Sequence, residues 1–321
     1  MAYDIIGDLH GQAEKLERLL RALGYQLRDG SWRHPERKAI FVGDFIDRGP
    51  AQLRTVGIVR RMVESDAAFA VMGNHELNAV AWHTPHPNGS GDYLRSHFHP
   101  QWGDKNRHQH QRFLTEVEHQ PDVHRELIEW FLTLPLWLDL PGIRVVHACW
   151  HQPYMDWLNP FLTDNKQLPR ALLEAATCEP DDPATKDDAT PSVFKAVEAL
   201  LKGIEIPLPE PHHFTDKDGI VRKRVRVRWW DGQAQRYPQA AMLSPDLREQ
   251  LPDLPIPAHA VLPHAAGKPI FFGHYWLTGE PEVLGPPCAC VDYSAGKGGA
   301  LVAYRWNGES TLAAANFVAI S

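Results

Sequence analysis

Short apolar runs and segments with helical spacing alternate along the first part of the chain. The apolar runs at 3–7, 38–43 and 67–73 predict strands, and the segments 12–23 and 50–64 predict helices. In the first helix leucines recur three and four residues apart, and Gly24 follows as a stop signal. The order β-α-β-α-β predicts an α/β (α+β) fold in which helices cover a sheet.

The pattern is less regular beyond residue 78. Apolar runs at 143–147, 269–273, 290–292 and 299–306 predict further strands, the segments 122–132 and 192–201 predict helices, and the alternating run 220–230 predicts a strand with one solvated face. Neither a repeat nor an interdomain linker is evident. We therefore predict a single domain over 1–321, with helical and loop insertions at about 78–135 and 151–265 that form a cap over the site.

Composition and charge limit the kinds of binding partner that we expect. The 321 residues include 33 Lys and Arg against 40 Asp and Glu, a formal net charge of -7. This balance does not favour stable binding to nucleic acid or to a membrane surface. The N-terminal residues do not resemble a signal peptide, no apolar run has transmembrane length, and four cysteines are too few for a disulfide framework, so we predict a cytoplasmic protein. Its oligomeric state is left open.

Polar clusters follow the first three predicted strands. They are Gly-Asp-Leu-His-Gly at 7–11, Gly-Asp-Phe-Ile-Asp-Arg-Gly at 43–49 and Gly-Asn-His-Glu at 73–76. Ligand sites in α/β sheets lie at the carboxyl ends of the strands, so these clusters are expected to converge. A single Gly-Asp or Gly-Asn pair is usually only a turn, but three such clusters with additional His, Arg and Glu residues favour a functional site.

The side chains at the strand ends suit divalent metal ions. The candidate ligands are Asp8, His10, Asp44, Asn74, His147 and His274. Asp44 is placed to bridge two ions, which would share a water molecule and lower its pKa so that a metal-bridging hydroxide is available near neutral pH. The same ions would hold phosphoryl oxygens during an in-line displacement.

Three neighbouring residues supply the other groups that phosphate chemistry requires. Arg48 can bind phosphate oxygens with both ends of its planar guanidinium group. His75, directly after Asn74, can donate a proton to the leaving group, and Asp47 could orient that imidazole and stabilise its protonated form. Glu76 is expected to accept hydrogen bonds near the ligands or to belong to the start of a helix, and not to be a ligand itself.

These motifs resemble those of the calcineurin-like metallophosphoesterases, and in particular the branch that contains the Ser/Thr protein phosphatases and the symmetrical diadenosine tetraphosphatases. The resemblance implies a central β-sandwich flanked by helices and two divalent metal ions. It places Asp8, His10 and Asp44 on one ion, and Asp44, Asn74, His147 and His274 on the other. Manganese is the expected ion, and iron, zinc or cobalt would also suit these ligands.

The resemblance also implies a proton donor at His75, its partner at Asp47 and substrate contacts from Arg48 and Asn74. Arg228 is the candidate for a second phosphate-binding arginine, and Tyr293 for a further substrate contact. Ser/Thr protein phosphatases carry His-Gly-Gly after the fourth strand, whereas Ala148 and Cys149 follow His147 in this chain. This difference disfavours a protein phosphatase.

The predicted function is a dinuclear-metal-dependent phosphohydrolase. Its substrate would be a nucleotide or dinucleoside polyphosphate or a small phosphomonoester. The alternatives are a Ser/Thr protein phosphatase and, from a different class, a noncatalytic metal- or phosphate-binding scaffold. The histidines of the first insertion are expected to belong to a solvated or substrate-capping segment, and the arginines of 220–230 to a solvated strand face, with a basic wall for a polyphosphate as the minority alternative.

Overall fold

A computed structural model of the chain describes residues 2–180, 182–215, 219–262, 267–285 and 287–321. The strands are β1 (Ala2–Ile6), β2 (Gln26–Arg28), β3 (Ser31–Arg33), β4 (Arg37–Phe41), β5 (Ala68–Ala70), β6 (Trp137–Leu140), β7 (Ile143–Val146), β8 (Glu205–Pro207), β9 (Phe214–Thr215), β10 (Val221–Arg222), β11 (Arg224–Arg226), β12 (Ile270–Phe272), β13 (Cys288–Cys290), β14 (Leu301–Trp306) and β15 (Phe317–Ile320).

The α-helices are α1 (Ala13–Ala22), α2 (Gln52–Glu64), α3 (Asn74–His83), α4 (Gly103–Val117), α5 (Pro121–Phe131), α6 (Gln152–Leu158), α7 (Leu173–Thr177), α8 (Pro183–Asp187), α9 (Val193–Lys202), α10 (Tyr237–Ala240) and α11 (Pro245–Glu249). Short 3-10 segments occur at Asn159–Phe161, Arg170–Leu172, Ala258–Ala260, Ala295–Lys297 and Ala314–Asn316. None of the helices in the described ranges combines the length and the apolar character that crossing a bilayer requires.

Two mixed sheets form the centre of the molecule. The first has the order β15-β14-β1-β4-β5, with β1, β4 and β5 parallel and the other two strands antiparallel. The second has the order β13-β12-β7-β6, with β13, β12 and β7 parallel and β6 antiparallel. In each sheet, three parallel strands therefore have their carboxyl ends at the same edge.

The strands divide their side chains between two apolar cores. Alternate residues of a strand point to opposite faces, so Ile5 and Ile40 enter one core while Ile6 and Phe41 enter the other. The smaller core lies between the sheets: Tyr3, Ile40 and Val42 of the first sheet share it with Val145, Phe271 and Ala289 of the second. The ring centroids of Phe271 and Tyr304 are 5.0 Å apart across this interface. The two sheets thus form the predicted β-sandwich.

The helices pack on the larger core. Leu16, Leu19 and Leu20 of α1 are fully buried there, as the spacing of the leucines predicts. α1 packs against β14 and β15, and α2 against β5 and the β2–β3 hairpin. The predicted α/β class with flanking helices is confirmed, and each of the first three strands and two helices lies within a few residues of its predicted position.

The alternating segment 220–230 was wrongly predicted to be one continuous strand. It forms two short strands, β10 and β11, which pair with β9 and β8 in separate two-stranded sheets. The valine side chains differ accordingly, because Val221 is 58% exposed while Val225 and Val227 are buried. The alternation of apolar and polar residues indicates which face of a strand a side chain occupies, but it does not show where the chain changes from one partner strand to another. Positions 181, 216–218 and 263–265 of the predicted insertion 151–265 lie outside the described residues.

Candidate metal centre

The carboxyl ends of the parallel strands bring the predicted ligands together. Asp8 and His10 follow β1, Asp44 follows β4, and Asn74 begins α3 after β5. From the second sheet, His147 follows β7 and His274 follows β12. The six side chains range from fully buried to 9% exposed. Residues far apart in sequence therefore meet where the two sheets end, as Asp44 and His274 show.

Unusual backbone conformations aim these side chains. Of the ten non-glycine residues with positive φ in the described part of the chain, seven belong to these strand-end loops: His10, Asp44, Asp47, Arg48, His274, Trp276 and Ser294. Side chains other than glycine rarely adopt this conformation, and such residues cluster at functional sites. Hydrogen bonds hold the loops in place, since the N–H groups of Leu9 and His10 both donate to the carbonyl of Asp44 (3.0 and 2.8 Å).

Asp44 lies between two groups of possible ligands. One group combines His10, Asp44 and His75, and the other combines Asp44, His147 and His274; within each group the ligand atoms lie within 4.8 Å of one another. The Oδ2 atom of Asp44 is 3.7 Å from Nε2 of His10, and its Oδ1 atom is 3.4 Å from Nε2 of His147. One carboxylate thus presents an oxygen to each group.

Backbone carbonyls orient two of the histidines. Nδ1 of His10 lies 2.9 Å from the carbonyl oxygen of Ile46, and Nδ1 of His147 lies 2.7 Å from that of Val42. Because a carbonyl can only accept, each Nδ1 carries a proton, which leaves Nε2 of His10 with a free lone pair. Nε2 of His10 is buried without a hydrogen-bond partner in the structure. This is the arrangement of a histidine prepared to bind a metal ion.

Asn74 closes the second group. Its Oδ1 atom lies 3.1 Å from Nε2 of His147 and 2.9 Å from Nδ1 of His274. Nε2 of His147 therefore faces the oxygens of Asn74 and Asp44, which only accept hydrogen bonds. Such a contact requires either a second proton on the imidazole or a cation among the three atoms, and the donor set suits a divalent transition metal.

Asp8 stands slightly apart from both groups. Its carboxylate accepts hydrogen bonds from the N–H of His274 at 3.1 and 3.3 Å, so it ties the loop after β1 to the loop after β12. Burial raises the pKa of Asp8 well above its usual value, and the carboxylates of Asp292 and Asp44 add to this effect. The predicted role of Asp8 as a ligand stays a prediction.

Buried negative charge is concentrated around these residues. Asp8, Asp44, Glu76 and Asp292 are at most 1% exposed, and in the described ranges none of them pairs with a lysine or arginine. Burial, followed by repulsion from Asp44, raises the pKa of Glu76 to about 7. Several uncompensated carboxylates in one buried site are costly unless cations neutralise them. Two divalent ions would do so.

Glu76 fixes the loops and is not itself a ligand in either group. Its carboxylate accepts hydrogen bonds from the N–H groups of Asp44 and Phe45, both at 2.8 Å, and from that of Gly73 at 3.0 Å. It thereby fastens the loop after β4 to the start of α3. This agrees with the expectation that Glu76 accepts hydrogen bonds behind the ligands.

His75 belongs to a buried chain of polar contacts. Its Nδ1 lies 2.5 Å from Oδ2 of Asp47, and Oδ1 of the same carboxylate lies 2.8 Å from Nδ1 of His110. Burial lowers the pKa of His75, but Asp44 and Asp47 outweigh it and raise the pKa above its usual value. Nε2 of His75 lies 3.8 Å from Oδ2 of Asp44. The imidazole is therefore held so that it can carry a proton, and its predicted role as the proton donor stays a prediction.

His110 was not among the predicted site residues. It lies on α4 within the first insertion, is 2% exposed and is the second partner of Asp47. Burial raises the pKa of Asp47, but His110 and then His75 lower it below its usual value. The histidine-rich composition of the insertion was the only sequence signal for this contact, and it does not distinguish His110 from its neighbours.

Arg48 rests on an aromatic surface. Its guanidinium carbon lies 4.4 Å from the ring centroid of Trp276, and the Trp276 ring stacks on His10 at 5.0 Å. The amine of Lys297 lies 4.5 Å from the same indole. A cation over an indole face is attracted by the ring electrons and is held in one place. Trp276, which sequence reasoning missed, thus links Arg48 to His10.

A cavity of about 290 Å³ opens over these groups. Its lining includes six of the predicted residues: Asp44, Asp47, Arg48, Asn74, His75 and His274. It also includes Asn78, Arg95, Gln109, His110, Lys202, Arg226 and Trp276. Residues from both predicted insertions therefore border the site.

Two predicted substrate contacts do not line this cavity. The guanidinium of Arg228 lies 3.8 Å from the carboxylate of Asp231, because β11 ends at Arg226 and Arg228 lies in the turn beyond it. Arg226 occupies the cavity wall instead. The hydroxyl of Tyr293 accepts a hydrogen bond from the N–H of Glu282 (2.9 Å), and burial raises the pKa of Tyr293 to about 12. Tyr293 thus fastens the loop before β13.

The fold and site agree with the comparison to known proteins. The family model of the calcineurin-like phosphoesterases matches residues 1–175, and the chain belongs to this family. The matched region contains four of the parallel strands, β1, β4, β5 and β7, the first five predicted ligands in chain order and the predicted proton donor, but not His274.

Curated relatives are similar over shorter stretches. The chain is 33% identical over 149 residues, 46% of its length, to the asymmetrical bis(5'-nucleosyl)-tetraphosphatase PrpE of Oceanobacillus iheyensis. It is 47% identical over 76 residues, 23% of its length, to the protein of the same name from a Geobacillus species. It spans 55% and 31% of the lengths of these two relatives. Both relatives carry the word asymmetrical in their names, whereas the sequence motifs led us to expect the branch that contains the symmetrical enzymes.

Solved structures are similar at a greater distance. A protein serine/threonine phosphatase from Saccharomyces cerevisiae aligns over 100% of this chain and 79% of its own, with 15% identity and a TM-score of 0.45.

Proposed function

We propose that this protein is a phosphohydrolase that uses two divalent metal ions to cleave a phosphate ester or anhydride. The position of Asp44 between two groups of buried ligand atoms carries this proposal. Asp8 and His10 would complete the site on one side of Asp44, and Asn74, His147 and His274 on the other. Manganese is the proposed ion, with iron, zinc or cobalt as alternatives.

Bound metal ions would supply a water molecule of lowered pKa and neutralise charge on the phosphoryl group. The chain's own residues supply the remaining functions. Arg48, held on Trp276, is placed to bind phosphoryl oxygens with its planar donors. Nε2 of His75 would give a proton to the leaving oxygen, while Asp47 holds Nδ1 of His75 and His110 holds the other oxygen of Asp47.

Arg226 is our proposal for the second phosphate-binding arginine in place of Arg228. It lines the cavity that contains Asp44 and His75, and its Nε lies 3.5 Å from Glu205 at the surface. Its strand neighbour Val225 is buried, which fixes the register of β11 and directs the flanking arginines to the other face. Arg228 lacks this support because it lies beyond the strand.

The proposed substrate is a nucleotide or dinucleoside polyphosphate, or a small phosphomonoester. Support comes from the names of the curated relatives and from the cationic cavity bordered by both insertions. A Ser/Thr protein phosphatase is the second candidate, and the motifs shared with those enzymes favour it. Against it, Ala148 and Cys149 after His147 are fully buried and contribute to the core.

The test is metal-dependent hydrolysis of an aryl phosphate. We expect manganese or cobalt to support turnover, Asp44→Asn to abolish it and His75→Ala to lower kcat by about 10²- to 10⁴-fold. The exposed Asp246, at the start of α11, offers Asp246→Asn as a matched control with full activity. Full activity of Asp44→Asn, or of the wild type in excess chelator, would contradict the two-metal proposal.

A substrate panel separates the two candidates. It would contain diadenosine tetraphosphate, mononucleotides and a phosphopeptide, each assayed for kcat/KM with manganese present. Turnover of the phosphopeptide alone would favour the protein phosphatase. Chromatography of the nucleotide products would also show whether cleavage of diadenosine tetraphosphate is symmetrical or asymmetrical.

A further inference from the structure

Arg95 is a cation in the cavity wall that the metal-binding motifs do not include. It lies in the loop between α3 and α4, and its N–H donates to the carbonyl of Ala81 at 3.1 Å. Its guanidinium donates to Oδ1 of Asn78 at 3.0 Å and to Oε1 of Gln109 at 2.7 Å. All three side chains line the cavity that holds His75. The half-buried arginine is thus fixed in position by two amides.

The charge of Arg95 has no carboxylate partner within ion-pair distance in the described ranges, and the same holds for Arg48. The other two cations of the cavity differ, since Lys202 pairs with Glu198 and Arg226 lies 3.5 Å from Glu205. A guanidinium has five N–H donors and stays protonated, so two amide partners leave it both charged and able to donate further. Amides hold this cation without neutralising it, which suits an anionic ligand.

The supports of Arg95 place it beside the proton donor. Asn78 is three residues after His75 and four after Asn74 on α3, so these side chains share one face of the helix. Gln109 directly precedes His110, the residue that holds Asp47. Both anchors of Arg95 therefore border the pair of His75 and Asp47. A group that took a proton from His75 would leave into the cavity that Arg95 also lines.

We propose that Arg95 binds a phosphate of the leaving group and thereby selects phosphoanhydrides over phosphomonoesters. The inference rests on the proposed function and narrows its substrate class to polyphosphates. Water forms a bond to the attacked phosphorus and loses a proton to solvent, and the bond from phosphorus to the bridging oxygen breaks. The electron pair stays on that oxygen, which leaves with the second phosphate and takes a proton from His75; solvent then reprotonates His75.

The first test compares Arg95→Gln with the wild type on two substrates. Because a charge-assisted hydrogen bond is lost only with an anhydride, kcat/KM for diadenosine tetraphosphate should fall about 10- to 100-fold. For p-nitrophenyl phosphate, which has no second phosphate, the change should stay below about threefold. Arg112→Gln, at an exposed position of α4, is the matched control and should change neither value. Equal losses on both substrates, or no loss on either, would overturn the proposal.

A second variant tests the charge of Arg95 without removing the arginine side chain. Gln109→Glu is isosteric and places a carboxylate against Arg95, so it should preserve the packing of the loop and raise or maintain Tm. It should nonetheless lower kcat/KM for diadenosine tetraphosphate by about the same 10- to 100-fold, because the arginine is neutralised. If Arg95 served only to hold the loop, this variant would keep full activity.

A binding measurement separates this proposal from the hydrolytic function. By calorimetry with manganese present, the wild type should bind inorganic pyrophosphate more tightly than orthophosphate. In Arg95→Gln the ratio of the dissociation constants for orthophosphate and pyrophosphate should fall by about 10-fold or more, whereas Arg112→Gln should keep the ratio of the wild type. An inactive wild type that shows the preference would contradict the proposed catalysis but not the phosphate site. Equal affinities in wild type and Arg95→Gln would overturn the site even in an active enzyme.

Discussion

The histidines of the candidate centre differ in the hydrogen bonds that their Nδ1 atoms make. His10 donates from Nδ1 to a backbone carbonyl, which leaves Nε2 as a lone pair, whereas Nδ1 of His75 contacts the carboxylate of Asp47. Burial lowers the pKa of His10 to about 3, but the carboxylates near His75 raise the pKa of that residue despite its burial. The imidazole of His10 is thus kept neutral, as the proposed metal binding requires, and that of His75 is kept able to hold a proton, as the proposed proton donation requires.

At the residue scale, His110→Phe should lower kcat without a large change in KM. The substitution fits among the neighbouring rings of Phe113 and Trp82 but removes the second partner of Asp47. Asp47 then holds His75 less firmly, so kcat should fall by about 10-fold or more, yet by less than in His75→Ala. Steady-state kinetics with an aryl phosphate provide the measurement.

The control for this prediction is His110→Gln, whose amide can still donate to Asp47. It should recover a substantial part of the lost kcat. A rise in KM at unchanged kcat in His110→Phe would instead mean that His110 acts on substrate binding.

The strand-end loops work because two glycines allow them to pack closely. A Cβ atom on Gly73 would lie 2.3 Å from both the backbone nitrogen and Oδ1 of Asp44. Gly43 has a φ of 104°, and a Cβ there would lie 2.6 Å from the nitrogen of Gly73. The loops after β4 and β5 are therefore in direct backbone contact, and Asp44 is held where they meet.

At the element scale, Gly73→Ala should disturb both stability and metal binding. The added methyl group must displace Asp44, so we expect a loss of about 1–3 kcal/mol in the free energy of unfolding. Manganese content after purification, measured by plasma mass spectrometry, should fall together with activity.

Gly30→Ala is the matched control in the β2–β3 hairpin. Gly30 has a φ of 78°, but no heavy atom lies within 4 Å of its Cβ position. Gly30→Ala should lower the free energy of unfolding only by the backbone strain of a positive φ, about 1 kcal/mol, and should leave the metal content unchanged. If Gly73→Ala kept full metal content, the close contact would not be needed to position Asp44.

The proposed metal centre joins the two sheets of the sandwich. Asp44 and Asn74 come from the first sheet, and His147 and His274 from the second. Ions bound between them would connect the sheets at the edge, beyond the apolar core that includes Val42, Val145 and Phe271. Unfolding must separate these ligands, so metal binding should stabilise the whole molecule.

At the scale of the molecule, manganese should raise Tm. A ligand at 100 times its dissociation constant adds about 2.7 kcal/mol to the free energy of unfolding. Calorimetric scans of protein freed of metal should show a concentration-dependent increase for the wild type and a much smaller one for Asp44→Asn. Asp246→Asn should behave like the wild type. An equal shift in all three proteins would mean that manganese binds elsewhere.

The sequence alone determined the parts of this protein that depend on local patterns. Apolar runs and leucine spacing predicted the first strands and helices, and the polar clusters that end those strands predicted Asp44, Asn74 and His75. The apolar patterns can be read because they are local. The polar clusters converge because parallel strands place their carboxyl ends at one edge of the sheet, independently of the rest of the chain. The later histidines, His147 and His274, could be predicted for the same reason.

Only the tertiary structure decided which residues of the insertions reach the site. His110 and Arg95 are ordinary members of a polar segment until α4 brings His110 against Asp47 and Gln109 against Arg95, since no local period encodes those contacts. The choice of Arg226 over Arg228 depends on where β11 ends, and a pattern of period two gives both positions the same face. Sequence therefore determined the ligands on the sheets, while packing between distant segments decided the residues that surround the substrate.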